Sequence, residues 1–158
     1  MLQARKTTQE CGFIFNAKYY DVTINDDNTF WVCAWDGPSG FKKKYDACQL
    51  VPAMLNVVCY AIYFCIFLHY EEIVLLGCDF NHFAKEKKVH CYGTEERNES
   101  LKEDLFGSAL AMEEHEQLSD AAKKEKIKII NATEGSLIDT YKKMEIDDIA
   151  LLKKDTDK

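Results

Sequence analysis

The stretch Ile73-Val74-Leu75-Leu76-Gly77 decides the fold class of this 158-residue chain. Its apolar residues follow the acidic pair Glu71-Glu72 and end at a glycine. A short, continuous apolar run of this kind is typical of a strand that is buried on both faces, as strands are in a parallel sheet covered by helices. The sequence therefore predicts an α/β domain whose open, mainly parallel sheet has helices on its flanks.

The apolar segment before this strand, residues 51–68, is predicted to be a buried helix. Pro52 suits the first helical position. One helical stripe is expected from side chains at the right spacing, namely Asn56, Tyr60, Tyr63 and Phe67. A membrane-spanning helix needs about 20 apolar residues. The run is nearly that long, so a membrane span is an alternative interpretation. The polar side chains inside the run and the acidic pair after it favour a helix within a layered domain.

The segments after the strand continue the alternation of helix and strand. A polar loop is expected over residues 78–98, and the capping box Ser100-Leu101-Lys102-Glu103 predicts the start of a second helix. The stripe of this helix that faces the core is expected to contain Leu101, Leu105, Ala109 and Met112. Ile127-Lys128-Ile129-Ile130 predicts a second strand, residues 146–152 predict a last short helix, and the polar residues 153–158 predict a frayed tail.

This order of elements predicts that the two strands are parallel neighbours, joined by a right-handed crossover through the second helix. The carboxyl ends of parallel strands lie at the same edge of a sheet. The loop from Gly77 to Asn81 and the loop from Asn131 to Ser136 are therefore expected side by side. Open α/β sheets of the Rossmann-like kind bind their ligands at this edge, so it is the predicted working surface.

The N-terminal third of the chain contains two apolar and aromatic runs, residues 12–24 and 29–35, with turn residues between them. These runs favour a hairpin. The chain length fits one domain, which we expect to cover residues 1–152. Within it, residues 1–47 would form the strand and hairpin region, and residues 50–152 the helix–strand–helix–strand core.

Charge and cysteine content limit the partners and the compartment. The net charge of −7 disfavours nucleic acid, because an acidic chain repels the phosphate backbone. The seven cysteines form no C-x-x-C motif, and several lie in apolar runs. An odd number of such residues favours a reducing compartment over a disulfide framework. The first residues of the chain do not resemble a signal peptide, so a cytoplasmic location is expected.

Polar side chains on the two predicted loops have both a functional and a structural interpretation. Asp79 can bind a ribose hydroxyl or a metal ion, or it can cap a turn. His82 and His90 can act as general bases or can simply be exposed. A zinc site made of Cys78, His82, His90 and Cys91 is disfavoured, because the spacing matches no common zinc motif. The chain has neither a G-x-G-x-x-G nor a P-loop sequence.

Three segments carry a resemblance to a known family: AIYFCIFLHYEEIVLLGCDFN (residues 61–81), HCY (residues 90–92) and IINATEGSLID (residues 129–139). Together they resemble the superfamily of the Campylobacter-type sialyltransferases (glycosyltransferase family 42). That superfamily also contains the motility accessory factors and the 6-hydroxymethylpterin diphosphokinase-like proteins. The resemblance covers roughly residues 55–149. It implies a glycosyltransferase-like protein that transfers a sugar from a nucleotide-activated donor to a glycan acceptor, in bacterial surface polysaccharide or flagellar glycosylation.

The resemblance also implies which residues would do the work. By position, the nucleotide of the donor would be held at the start of the first helix and at the Gly-x-Asp loop. These positions, with their neighbours on the two loops and in HCY, are Asn56, Gly77, Cys78, Asp79, Phe80, Asn81, Tyr92, Asn131, Thr133 and Glu134. His90 would be the catalytic base. No metal ligand or cofactor is implied for a transferase of this type.

Departures from the family pattern keep two other functions open. His69 replaces the usual glycine, Asn81 stands where the sialyltransferases carry a tyrosine, and the N-terminal Gly-Asn-Gly-Pro-Ser-type loop is absent. The sheet is therefore expected to be incomplete on its N-terminal side. The first alternative is a 6-hydroxymethylpterin diphosphokinase-like transfer of pyrophosphate from ATP, with Mg²⁺ bound by carboxylates such as Asp79. The second is a non-catalytic fragment or nucleotide-binding module.

Overall fold

The computed structural model describes residues 13–16, 29–35, 46–48, 50–84, 87–90, 93–96 and 100–149. It has a mixed α/β fold that divides into two compact units, Met1–Ala53 and Met54–Lys158. The second unit contains the predicted core and the candidate site.

The first unit contains four short strands: β1 (Phe13–Asn16), β2 (Thr29–Val32), β3 (Ala34–Trp35) and β4 (Val51–Pro52). β1 pairs with β2, and β3 pairs with β4. Both pairs are parallel, so the prediction of a hairpin between the first two runs is wrong. Parallel neighbours need a connection of about a dozen residues, and the chain between Asn16 and Thr29 is long enough to supply it. The turn residues between the two runs favoured a hairpin, which would have paired the two strands antiparallel.

The second unit contains, in chain order, α1 (Val57–Phe67), β5 (Glu72–Leu75), β6 (Lys87–His90), β7 (Gly93–Glu96), α2 (Leu101–Lys124), β8 (Lys128–Asn131) and β9 (Lys142–Lys143). The central sheet has the strand order β5-β8-β9, and both of its pairings are parallel. Ile73 lies opposite Ile129 in the register of the first pair. The predicted parallel pairing of the two apolar strands is confirmed.

β9 is a strand that the sequence did not predict. Its two residues, Lys142 and Lys143, are exposed and lie opposite Ile130 and Asn131 of β8. Lysine has a low strand propensity, so no local signal marks this segment. The strand exists because the chain returns beside β8 after the loop that follows it.

The segment predicted as a polar loop, residues 78–98, also contains regular structure. A 3₁₀ turn covers His82–Ala84, and β6 and β7 pair in an antiparallel hairpin. Residues 146–149 are helical, in agreement with the start of the predicted last helix. The remainder of that helix and the predicted tail lie outside the described residues.

Helix α1 begins later than predicted. Asn56 is its N-cap, and its side-chain oxygen accepts a hydrogen bond from the backbone N–H of Cys59 at 2.9 Å. An asparagine in this position satisfies a donor that the first turn leaves unpaired, whereas Pro52 belongs to β4 and not to the helix. The buried face of α1 consists of Cys59, Ile62, Tyr63 and Ile66. Of the predicted stripe, only Tyr63 belongs to this face.

The described helices also bear on the membrane alternative. None of them combines the length and the apolar character needed to cross a membrane.

Helix α2 starts at the predicted capping box but presents a different face to the core. The Ser100 hydroxyl accepts from the Glu103 N–H at 3.3 Å, and the Glu103 carboxylate accepts from the Ser100 N–H at 2.8 Å. Leu101 and Leu105, which were expected to face the core, are exposed. The buried face is largely polar or small: Asp104, Ser108, Ala111, Glu114, His115, Leu118, Ser119, Ala121 and Ala122. Periodicity misplaced this face because several of these polar groups find partners inside the protein.

Both helices end in the same way. His69 after α1 and Lys126 after α2 have positive φ angles of 55° and 61°. The N–H of the next residue then bonds back into the helix, from Tyr70 to the carbonyl of Cys65 at 3.1 Å and from Ile127 to the carbonyl of Ala122 at 2.8 Å. This is the Schellman arrangement, in which the left-handed position is usually glycine. His69 is therefore strained at a position that usually favours glycine.

Replacing His69 by glycine is expected to stabilise the protein by about 1 kcal/mol, because a side chain in the left-handed region costs about 1–2 kcal/mol. The free energy of unfolding in urea measures the change. His69→Ala is the matched control: it removes the imidazole but keeps the Cβ atom, so it should give little or no gain. Equal effects of the two substitutions would contradict backbone strain as the cause.

Candidate site at the carboxyl edge of the sheet

The two loops that follow β5 and β8 are joined directly by hydrogen bonds. The backbone N–H of Cys78 donates to the Thr133 hydroxyl at 3.0 Å, and the Ser136 hydroxyl donates to the carbonyl of Cys78 at 2.6 Å. The N–H of Leu137 donates to the carbonyl of Asp79 at 2.9 Å. The predicted side-by-side placement of these loops is therefore confirmed.

The loop after β5 presents open backbone at this edge. Gly77 has φ +69°, and a Cβ atom built on it would meet no other atom within 4 Å. Glycine is therefore needed here for its backbone conformation, while the space around it is free for the close approach of a ligand. Asp79 is exposed, and Asn81 is half-buried. These residues supply backbone amides, a carboxylate and a carboxamide to one surface.

The loop after β8 owes its shape to Asn131, which is only 1% exposed. Its side-chain amide donates to the Ser136 hydroxyl at 2.9 Å and to the carbonyl of Ile138 at 3.1 Å. Its side-chain oxygen accepts from the N–H of Thr133 at 3.1 Å. The side chain of this candidate ligand-binding residue is thus turned into the loop. Glu134, the next candidate along the chain, is exposed.

Lys143 of β9 adds a further bond to the same loop. Its ammonium group donates to the carbonyl of Ser136 at 2.6 Å. The unpredicted third strand therefore helps to hold the loop after β8 in place.

Phe80 occupies a strained position at the centre of the candidate site. Its φ of 57° lies in the left-handed region, which is unusual for a bulky residue. Its ring lies edge to face against His82, with centroids 5.7 Å apart, and against His115, with centroids 6.0 Å apart. Strained residues of this kind persist only when their surroundings hold them, and the aromatic neighbours supply part of that support.

His115 is a buried residue that the sequence analysis did not single out. It is 0% exposed on α2. Its Nδ1 lies 2.9 Å from the Tyr141 hydroxyl, and its Nε2 lies 3.6 Å from the Cys59 sulfur. Burial lowers the pKa of His115 to about 4, so the imidazole is neutral at neutral pH. A histidine within a polar helix gives no local sign of such surroundings.

The start of α1 is tied to α2 near His115. The Glu114 carboxylate accepts two bonds from the N–H of Leu55, at 3.0 and 3.2 Å. Burial raises the pKa of this carboxyl group. Asn56 follows directly, and its Nδ2 atom is buried without a hydrogen-bond partner in the described part of the chain. A series of contacts leads from Asn56 through Cys59 and His115 to Phe80, the residue that follows the Gly-x-Asp loop.

The Cys59–His115–Tyr141 arrangement has the order of a nucleophile, a base and an orienting group, but its electrostatics oppose that chemistry. Burial, with the neighbouring charge of Glu114, raises the pKa of Cys59 to about 12. Burial also raises the pKa of Tyr141. A reactive cysteine needs a lowered pKa and access to substrate. Because this thiol is neutral and buried, the arrangement is structural.

Cys78 is no better suited as a nucleophile, since burial and the charge of Asp79 raise its pKa. Within the described part of the chain, no three His, Cys, Asp or Glu side chains are placed to hold a metal ion. Of the four residues of the disfavoured zinc site, His82 is exposed, and its Nε2 lies 3.4 Å from the Ser108 hydroxyl.

The structure places His90 only by its backbone. It is the last residue of β6 and lies opposite Gly93 of β7. Cys91 and Tyr92, between these two strands, lie outside the described residues. The assignment of His90 as base and of Tyr92 as a donor-binding residue therefore stays a prediction.

Comparisons of the chain with protein-family models, with curated proteins and with solved structures find no match.

Proposed function

We propose that this chain is a glycosyltransferase-like protein that binds a nucleotide-activated sugar at the carboxyl edge of a Rossmann-like sheet. One observation carries the proposal: the hydrogen-bonded junction of the loops after β5 and β8. The segments that resemble the sialyltransferase superfamily contribute both loops. Ligands of open α/β sheets bind at this edge, which supports a shared ligand-binding role for the two segments.

Each part of the edge has a role in the proposal. The open backbone at Gly77 would receive the phosphate, the Asn81 carboxamide would hydrogen-bond the nucleotide, and exposed Asp79 would accept from a ribose hydroxyl. These groups bind and orient the nucleotide, and preorganised donors would stabilise charge on the leaving phosphate.

The chemical step needs a base. In the proposal His90, at the end of β6, removes the proton of an acceptor hydroxyl, which then attacks the anomeric carbon of the donor as the bond to the leaving phosphate breaks. An unperturbed histidine titrates near neutral pH, which suits this task. The expected acceptor is a glycan of bacterial surface polysaccharide or flagella, and the expected compartment is the cytoplasm.

Calorimetric titration with nucleoside mono- and diphosphates, cytidine nucleotides first, tests this function. We expect weak binding, with a Kd in the range of about 0.1–1 mM, which corresponds to about 4–5.5 kcal/mol. Asn81→Ala should weaken it about tenfold, the usual consequence of losing one hydrogen bond to a charged ligand. Glu145→Ala, an exposed change that is not part of the site, is the control and should bind like the unmodified protein.

The same titration separates the alternatives. Binding that requires Mg²⁺ and is lost in Asp79→Asn would support pyrophosphate transfer from ATP instead of sugar transfer. Absence of heat with every nucleotide up to millimolar concentrations would refute the nucleotide-dependent functions altogether.

A further inference from the structure

We infer that His115 is a positioning residue of the candidate site at the carboxyl edge of the sheet. Its ring holds the loop after β5 in the conformation in which Phe80 has a positive φ angle. The inference rests on the proposed function only for the identity of the ligand. The effect of His115 on the loop is a property of the protein alone and can be tested without any ligand.

The first argument is that His115 connects three elements that are distant in sequence. From α2 it reaches Cys59 of α1, the Tyr141 hydroxyl just before β9, and the ring of Phe80 after β5. The Tyr141 hydroxyl also lies 3.2 Å from the His115 carbonyl oxygen, to which it can donate. The imidazole is 0% exposed where these elements meet, so close packing keeps its ring in place as a rigid support for the loop.

The second argument is the strain at Phe80. A bulky residue with φ 57° would relax to a commoner conformation if its ring lost its support. The preceding residues are fixed by the bonds of Cys78 and Asp79 to the neighbouring loop. Relaxation at Phe80 would pull on these adjoining bonds and would displace Asn81, which lies in the proposed ligand surface.

Two substitutions distinguish the contribution of the His115 ring from the contribution of its nitrogen atoms. His115→Phe keeps an aromatic ring against Phe80 and loses the bonds to Tyr141 and Cys59. His115→Asn keeps a polar atom near the position of Nδ1 and loses the ring. If the ring supports the loop, the asparagine variant should open the loop and the phenylalanine variant should rescue it. A role in overall stability alone would not produce this difference.

Amide hydrogen exchange under native conditions measures loop opening directly. The reporters are the N–H groups of Cys78 and Leu137, which bond across the two loops, and the reference is the N–H of Lys128, which bonds to Glu71 at the other end of the strands. In His115→Asn the reporters should exchange about three- to tenfold faster relative to the reference, the range expected for losing one aromatic pair. In His115→Phe the relative rates should stay within about twofold of the unmodified protein.

Equal acceleration at the reporters and the reference in His115→Asn would overturn the inference, since it would indicate a general loss of stability. Faster relative exchange in His115→Phe would also overturn it, because the nitrogen atoms and not the ring would then hold the loop. Nucleotide titration of the same variants tests the proposed function and is interpreted separately from hydrogen exchange. If the exchange result holds while no nucleotide binds the unmodified protein, the proposed function fails and the positioning role stands.

Discussion

Replacement of Asn131 by alanine is expected to lower the free energy of unfolding by about 3–4 kcal/mol. The side chain makes three hydrogen bonds in a buried position. Removing it takes this partner from the Thr133 N–H and the Ile138 carbonyl, whereas the Ser136 hydroxyl keeps its bond to Cys78. Each bond contributes about 1 kcal/mol, and a buried partner left without a bond adds about 1–3 kcal/mol. Urea denaturation followed by far-ultraviolet circular dichroism measures the loss.

Glu134→Ala is the control for this prediction, because Glu134 belongs to the same loop but is exposed. Exposed substitutions of this kind usually change stability by less than about 0.5 kcal/mol. A second comparison uses Ser136→Ala alone and combined with Asn131→Ala. Since the two side chains are directly bonded, their effects should be non-additive by about 1 kcal/mol. A loss below 1 kcal/mol in Asn131→Ala, or strict additivity with Ser136→Ala, would show that the loop does not depend on this side chain.

The protein should lose stability in mild acid because of His115. Its folded-state pKa of about 4 lies below the ordinary value of 6.5. Between these two values the unfolded chain binds a proton at this position and the folded chain does not, so stability falls as the pH falls from 6.5 towards 4. The full contribution across this window is about 3 kcal/mol. Denaturation curves at a series of pH values measure the slope.

His115→Gln is the reference for this prediction, since glutamine does not titrate. Glu114 acts in the opposite direction, because a raised carboxyl pKa favours the folded state as the pH falls. This effect is common to both proteins and cancels in the difference. Cys59 and Tyr141 have raised pKa values and stay neutral throughout the window. If the two proteins lost stability in parallel between pH 6.5 and 4, His115 would not be the residue responsible.

The part of the fold that the sequence predicted depends on local signals. The apolar run that became β5 and the capping box before α2 each lie within a few residues. The parallel pairing of β5 with β8, and the meeting of their loops, then followed from connection rules. The elements that were missed depend on distant partners. β9 exists only through its pairing with β8, and Lys142-Lys143 has no strand pattern of its own.

The buried face of α2 was misplaced for a related reason. His115 is satisfied by Tyr141, 26 residues away, and Glu114 by Leu55, 59 residues away. Hydrophobic periodicity treats such residues as solvent-facing, because it has no information about partners from other elements. At the candidate site, the sequence placed Asn131 at the correct edge of the sheet, although it is the last residue of β8 and not the first of the loop. It could not distinguish a side chain that binds a ligand from one that shapes the turn, since both interpretations need the same amide.

The lysines of β9 also affect whether another chain can pair with this edge of the sheet. A strand at the edge of a sheet offers unpaired backbone groups to any chain that approaches, which is a common route to aggregation. In the described sheet, β9 is the edge strand next to β8. It has only two residues, and both are lysines. A second strand that docked there would gain few backbone bonds and would bring its own chain beside positive charge. The same short strand that braces the loop after β8 thus disfavours edge-to-edge association at this side of the described sheet.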